Sequence, residues 1–311
     1  MLTDPALLLQ ILWTGTVTAS SYVLLTVGFS LTQKVTGLWN FAQAGFMGIA
    51  FYAMYFALND LGLPLILAFP FAAGCTIIAS LITEAFGLDV LRARHSAHLT
   101  FFIFTLIVAE FIIYWLTLIF GTEPQTLFKS IMSPVHIIWE IAISDWDLTA
   151  VGMTTVFLAA LAGFLRWSKD GQFLVAVADN AKLAELYGIS ARRAYHVTAV
   201  IAALFITGAM YLVGARGGIT PNSPMELILN AVIATLLGGM GRVFMGALAS
   251  VVLALIQSYS VLVISSRWQN LLLYGFLFVA IVVFPRGIHM PKFRKHLIIP
   301  APQPVDEAKR A

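Results

Sequence analysis

Apolar residues run through this chain in long blocks, each broken by glycine, proline or a few charges. Blocks of roughly 18 residues or more are candidates to cross a bilayer as helices. Length and breaks predict about nine spans, at roughly 8–31, 43–58, 64–86, 98–120, 148–167, 195–214, 225–240, 244–264 and 267–285. The second and seventh hold about 16 residues each, or about 24 Å of helix. That is less than the roughly 30 Å hydrocarbon core, so either could be re-entrant. The predicted fold class is an all-α polytopic membrane protein of about eight or nine transmembrane helices, with short Gly-rich broken segments and a pseudo-repeat. A transmembrane domain is expected over 1–290, and a polar, basic cytoplasmic tail over 291–311.

Composition agrees with the pattern. The 311 residues are 60% hydrophobic and 11% charged, with mean hydropathy +0.90. Soluble domains are nearer 45–50% apolar and about 25% charged, so a free-standing soluble domain is excluded. The net charge of +3 is small, and its placement says more than its sum. With the polar stretch 170–190 set in the cytoplasm, the inside segments hold Lys34, Arg92, Arg94, Arg166, Lys169, Lys182, Arg192, Arg193, Arg242, Arg286, Lys292, Arg294, Lys295, Lys309 and Arg310. The outside segments hold Lys129, Arg216 and Arg267. That asymmetry predicts an outside N-terminus and a cytoplasmic C-terminus. The opening MLTDPALLLQ has no basic n-region, so no cleaved signal peptide is expected.

Two outside segments stand out. Residues 121–147 carry Pro124, Pro134, Glu123, Glu140, Asp145 and Asp147; a loop this long is functional or disordered. Residues 215–224, ARGGITPNSP, form a Gly- and Pro-rich loop. The basic tail is expected to be drawn to anionic lipid.

Chemistry-bearing motifs are scarce. Cys75 is the sole cysteine, which leaves no intrachain disulfide and no Cys-based metal site. GGMGRV lacks the Lys and Ser/Thr of a phosphate loop. His95 and His98 are close enough to share a helix face, but they lie at a predicted membrane edge, and no metal site is expected. No nucleophile–base constellation and no nucleic-acid partner are indicated.

Two stretches echo each other, TQKVTGLWNFAQAGFMGIAFYAMY at 32–55 and ATLLGGMGRVFMGALASVVLAL at 234–255. The first places Gly37, Gly45 and Gly48 around a polar break; the second places Gly238, Gly239, Gly241 and Gly246. Such segments at matching positions mark substrate paths in many transporters, and equally they let helices pack closely. Polar residues within the spans carry the same double reading. Glu110 sits near the middle of the fourth span, a costly place for a carboxylate and a functional position by default; a role in helix packing is the alternative. Asn40 and Gln43 fall at the first break, where freed backbone could hold a polar solute or be satisfied by the chain itself. Trp39 and Phe41 could line the path or pack. Asn230 and Gln257 are further path candidates.

The stretch DGQFLVAVADNAKLAELYGIS, 170–190, is polar and helix-prone between two apolar runs. Asp179 or Asn180 is a candidate N-cap, Ala181, Ala184 and Glu185 favour helix, and Gly188 marks the stop. A short cytoplasmic helix of this kind could dock into a groove on a soluble partner, or be an ordinary interfacial helix.

This stretch resembles the coupling loop of ABC importer permeases, with Ala181, Ala184, Glu185 and Gly188 in the matching places. More narrowly, GQFLVAVADNAKLAELYGIS, VTGLWNFAQAGFMGIAFY and LLGGMGRVFMGALASVVLALIQ are similar, in family order, to the branched-chain amino acid permease family. The chain departs from the family at Gln43-Ala44-Gly45, where His-Gly is common, and at Arg242, where a small residue is common. The resemblance implies a bacterial inner-membrane permease whose coupling loop covers about 168–194. It implies a second permease subunit, two ATPase subunits carrying ATP and Mg, and a periplasmic solute-binding protein, with no cofactor and no enzymatic activity in this chain. It implies branched-chain amino acids or related small solutes as cargo. The competing reading is a stand-alone secondary transporter coupled to protons through Glu110.

Overall fold

The computed structural model describes residues 5–128, 134–138, 141–239 and 241–261, with isolated positions out to 282. The expected ninth span, 267–285, lies largely outside the described residues, and the tail 291–311, Lys129 and Glu140 lie wholly outside them.

Among the described residues, six helices are long and apolar enough to cross a membrane. α1 is Pro5–Thr36. α3, Leu65–Ile82, runs on through a π-helical stretch, Thr83–Leu88, into α4, Asp89–Ala93. The others are α5 (His98–Phe120), α6 (Asp145–Trp167), α8 (Ala191–Arg216) and α10 (Val243–Ser260). Two apolar helices are shorter, as their run lengths predict: α2 (Ala42–Tyr55) and α9 (Ser223–Gly238). α7, Lys169–Leu186, is the polar one.

The chain shuttles between two ends. At one end Gln125 and Ile219 exchange backbone hydrogen bonds of 2.9 and 3.0 Å. There too the Tyr52 hydroxyl donates to the Ile219 carbonyl at 3.2 Å, Asn59 Nδ2 to the Leu127 carbonyl at 3.3 Å, and the Ala142 N–H to Gln10 Oε1 at 2.8 Å. At the other end Arg192 meets Asp89 at 2.7 Å, Arg193 meets Asp170 at 3.0 Å, and Lys34 lies against Gly241. The loops that the basic residues separate therefore do gather at opposite ends. Both short helices run between these two ends. A π-helical extension, Phe56–Asp60, carries α2 onward to the first end, and α9 runs from beside Ile219 to the second.

Apolar lipid gives packed helices no hydrophobic reward for meeting, so close contact through small residues does the work. α8 is the most enclosed span, with Ala194, Ala199, Ala202, Ala203, Gly208 and Ala209 buried along it. α2 lies parallel to α5: a Cβ on Gly45 would meet Ile112 at 2.9 Å, one on Gly48 would meet Leu116 at 2.6 Å, and the Tyr52 and Phe120 rings stack at 4.7 Å. Gly238 touches the backbone of Gly246, 2.4 Å from where a Cβ would stand. Of the echoing glycines, Gly45, Gly48, Gly238 and Gly246 thus serve close packing, and both stretches turn at the same end of the molecule.

Part of the segment 121–147 pairs as strands, which a loop reading does not expect. β1 (Val135–Ile138) and β2 (Ile141–Ser144) form an antiparallel pair with Val135 opposite Ser144. Their β-branched residues favour the pleated form. Ser144 then caps α6: its Oγ accepts from the Trp146 N–H at 3.2 Å, while its own N–H donates to Asp147 Oδ2 at 3.2 Å, a reciprocal capping box.

Gly238→Ala should cost about 1–3 kcal/mol, since backbone on the facing helix must move. Gly74→Ala, with nothing within 4 Å of the added carbon, should leave stability unchanged or raise it slightly. Thermal unfolding of the two variants in mild detergent checks this; equal midpoints would count against the packing.

Candidate functional site

The polar stretch is two helical pieces, the expected short helix and a longer one before it. α7 begins at Lys169, where Ser168 Oγ accepts from the Gly171 N–H at 2.8 Å. Leu174 and Val177 pin this first piece to the core. At Asn180 the backbone leaves the helix, with φ −161° and ψ 99°. Asn180 Oδ1 accepts from the Leu183 N–H at 3.0 Å, so Asn180 and not Asp179 is the cap, and a new turn runs over 181–186. Its end is a Schellman motif: the Gly188 N–H donates to the Glu185 carbonyl at 2.9 Å and the Ile189 N–H to the Ala184 carbonyl at 3.0 Å. Gly188 has φ +80°, which a side chain resists.

Only Ala184 of this turn is buried; Ala181 is half-buried, and Asp179, Glu185 and Gly188 are exposed. Leu183, Leu186 and Tyr187 are 50%, 83% and 80% exposed. A rigid turn, capped at both ends, thus holds three large apolar side chains off the protein.

An ion cluster lies beside it, which sequence reasoning missed. Asp89 accepts from Arg92 at 3.0 Å and from Arg192 at 2.7 Å, with His196 Nε2 at 3.0 Å. Buried Glu84 pairs with Arg92 at 2.5 Å, and the Arg92 guanidinium sits 4.2 Å over the Tyr195 ring. These contacts tie the start of α8, just after the exposed turn, to the π-helical stretch and α4. The signal for it was Glu84, Asp89 and Arg92 together in one short segment. A cavity of about 550 Å³ opens here, lined by Glu185, Asp89, Arg92, Arg192 and Tyr195.

The path candidates do not all converge. Asn40 and Gln43 are buried at the α1–α2 break, where the chain satisfies its own backbone. Asn40 Oδ1 accepts from the Ala42 N–H at 3.1 Å, Thr36 Oγ1 from the Leu38 N–H at 3.2 Å, and Thr105 Oγ1 from the Phe41 N–H at 3.3 Å. Gln43 Nε2 donates to Thr32 Oγ1 at 2.9 Å. Trp39 packs edge-on against Phe29 at 5.9 Å. Gly37, Gly239 and Gly241 hold positive φ at the two breaks. Glu110 is exposed on the outer face of α5 beside Ile107, Phe111 and Tyr114, while Ala109 and Ile113 take the inner face. Of the path candidates, Asn230 and Gln257 line one cavity together, at the end that holds Ile219. His95 lies in the turn before α5 and His98 opens that helix, so they share no helix face. Among the described residues no cluster of three or more His, Cys, Asp or Glu is placed to hold a metal ion.

The family described as "Branched-chain amino acid transport system / permease component" matches residues 11–282. This chain belongs to that family. The permease is 27% identical over 297 residues to the "High-affinity branched-chain amino acid transport system permease protein LivH" of Escherichia coli (strain K12), covering 90% of this chain and 94% of that protein. It is 22% identical over 296 residues to the corresponding protein BraD of Pseudomonas aeruginosa, covering 90% and 95%. Among solved structures, "PsaBC from Streptococcus pneumoniae in complex with Fab" overlaps at a TM-score of 0.43, with 16% identity over 90% of this chain and 91% of that one; a likeness so loose carries no argument. The resemblance read from the three motifs holds over most of the chain. The permease is a multi-pass membrane transport subunit and not an enzyme.

Arg92→Ala strands Glu84 as a buried, uncompensated charge, and should cost about 3 kcal/mol. Adding Glu84→Gln should recover part of the loss. Unfolding midpoints of wild type, single and double variants decide this; an Arg92→Ala midpoint equal to wild type would remove the cluster from the account.

Proposed function

We propose that this permease is the membrane-spanning subunit of an ABC importer in a bacterial inner membrane, carrying a branched-chain amino acid or a related small solute inward. It pairs with a second, different permease chain. Two ATPase subunits, which hold the ATP and Mg, dock on the cytoplasmic end, and a periplasmic binding protein delivers the solute at the other. The observation that carries this reading is the turn over 181–186, whose exposed Leu183, Leu186 and Tyr187 need a covering surface. Family membership supplies the kind of partner, and the printed names of LivH and BraD support the cargo.

Orientation follows from the basic residues at the Lys34 and Arg192 end, which is cytoplasmic. The N-terminus is then outside and the C-terminus inside. When the ATPases close, the capped turn moves as a lever. Little chain separates it from α8, and the Asp89 cluster passes the displacement on to α4 and α3. The solute must bind the two access states differently for this to do work on it. The second permease covers the α5 face that bears Glu110, because a mid-span carboxylate facing lipid is costly.

Leu186→Asp places a charge where the partner surface is apolar, and Gly188→Pro removes the N–H that closes the Schellman motif. Each should lower ATP-driven uptake of labelled leucine by at least about tenfold, the size of a hot-spot loss. Both proteins should still be recovered from the membrane fraction. Wild-type uptake in both variants would contradict the coupling role.

A further inference from the structure

At the end of the molecule that holds Ile219, a cavity of about 260 Å³ opens between α1, α8, α9 and α10. That is a little below the roughly 300–1,000 Å³ typical of small-molecule sites. Its polar lining is Tyr22, Ser223, Glu226, Asn230, Gln257 and Tyr274. Val213, Ile219 and Leu227 supply an apolar wall.

Three observations single this cavity out. Glu226 and Asn230 stand at i and i+4 on α9, so they share one face and lie one turn apart in depth. Asn230 is only 8% exposed, and its Oδ1 has no hydrogen-bond partner among the described residues. A buried polar atom left unsatisfied is costly, and one lining a cavity is suited to a ligand. Lastly, among the described residues of the lining Glu226 is the sole charged one, with no Lys or Arg beside it to neutralise it. The field in the cavity therefore favours a cation.

We propose that this cavity binds an aliphatic amino acid, with its ammonium group on the Glu226 carboxylate and its side chain against Val213, Ile219 and Leu227. The amides of Asn230 and Gln257 offer neutral donors and acceptors for the remaining polar atoms. This assignment rests on the reading of the chain as an amino acid permease, and deepens it by naming the group that is recognised. The bland account of Glu226 is a favourable carboxylate in the first turn of a helix, and that of Asn230 is a bridging water. Neither predicts dependence on a ligand.

The test uses the full chain, with the subunits that co-purify, in lipid nanodiscs. Binding is measured by calorimetry for three probes: leucine, 3-methylbutylamine (ammonium without carboxylate) and 4-methylpentanoate (carboxylate without ammonium). Leucine and the amine should bind, and Glu226→Gln should weaken both at least about tenfold, as expected for loss of a charge-assisted contact. Glu226→Asp should retain binding, and the acid should be indifferent to position 226. Gln257→Ala reads the same cavity from α10 and should weaken leucine as well. Leucine binding unchanged in both Glu226→Gln and Gln257→Ala, or no amine binding in wild type, overturns the proposal. Leucine uptake is measured separately. Uptake by wild type with binding insensitive to residue 226 leaves the importer and removes the cavity. Binding that depends on Glu226 without leucine uptake does the reverse.

Discussion

Water is absent from the hydrocarbon interior, so each backbone N–H and C=O there needs a partner within the protein. A straight helix meets the requirement by itself, and a break does not. This chain breaks twice near the same end, at 37–41 and at 239–242. At the first break three side chains take over the freed N–H groups: Thr36 for Leu38, Asn40 for Ala42, and Thr105 for Phe41. At the second the chain closes on itself, with the Gly239 N–H donating to Leu236, Arg242 to Gly239, and Gly246 to Arg242. Because these N–H groups find partners within the chain, α1 can turn into α2 and α9 into α10. The glycine contacts of α2 with α5 and of α9 with α10 then follow.

The two ends differ in kind. At the end that holds Ile219, loops tie together through backbone bonds and aromatic contacts such as Trp146 with Tyr211 at 5.1 Å. The opposite end is held by charge. Asp89 gathers two arginines and a histidine, and Arg92 also answers the buried Glu84. Next to this rigid knot the chain leaves Leu186 and Tyr187 uncovered. Firm mounting of an apolar tip suits a part that receives force from outside and passes it inward. The cavity with Glu226 and Asn230 lies at the far end, so the account places solute recognition and the drive on opposite sides of the molecule.

Much of the fold was legible because span length is a direct physical signal. The charges also sorted the loops correctly into two groups. The caps of the exposed turn were legible too, since Asn at a start and Gly at a stop act locally. The helical piece before that cap, from Lys169 to Asp179, was not read, because the short docking helix began at the cap. The hairpin at 135–144 was missed because its strands are four residues each, within a segment otherwise read by its prolines and carboxylates. The sector that Glu110 occupies was not legible because every neighbour in α5 is apolar; in such a helix the sequence does not say which sector faces inward. Asn40 and Gln43 were open to two readings; Asn40 Oδ1 serves the corner by accepting from the Ala42 N–H, and Gln43 Nε2 donates to Thr32 Oγ1. Glu226 was passed over because a carboxylate in a helix's first turn is ordinary until Asn230 and Gln257 are seen around the same cavity.

The central claim is that the turn over 181–186 is where an ATPase grips this permease. The most direct measurement is site-specific photocrosslinking from position 187 in native membranes, with mass spectrometry of the adduct and position 86, an exposed phenylalanine on the π-helical stretch, as the comparison. The account predicts a P-loop ATPase joined at 187 and not at 86. A transporter that carries solute while position 187 captures only lipid would contradict it.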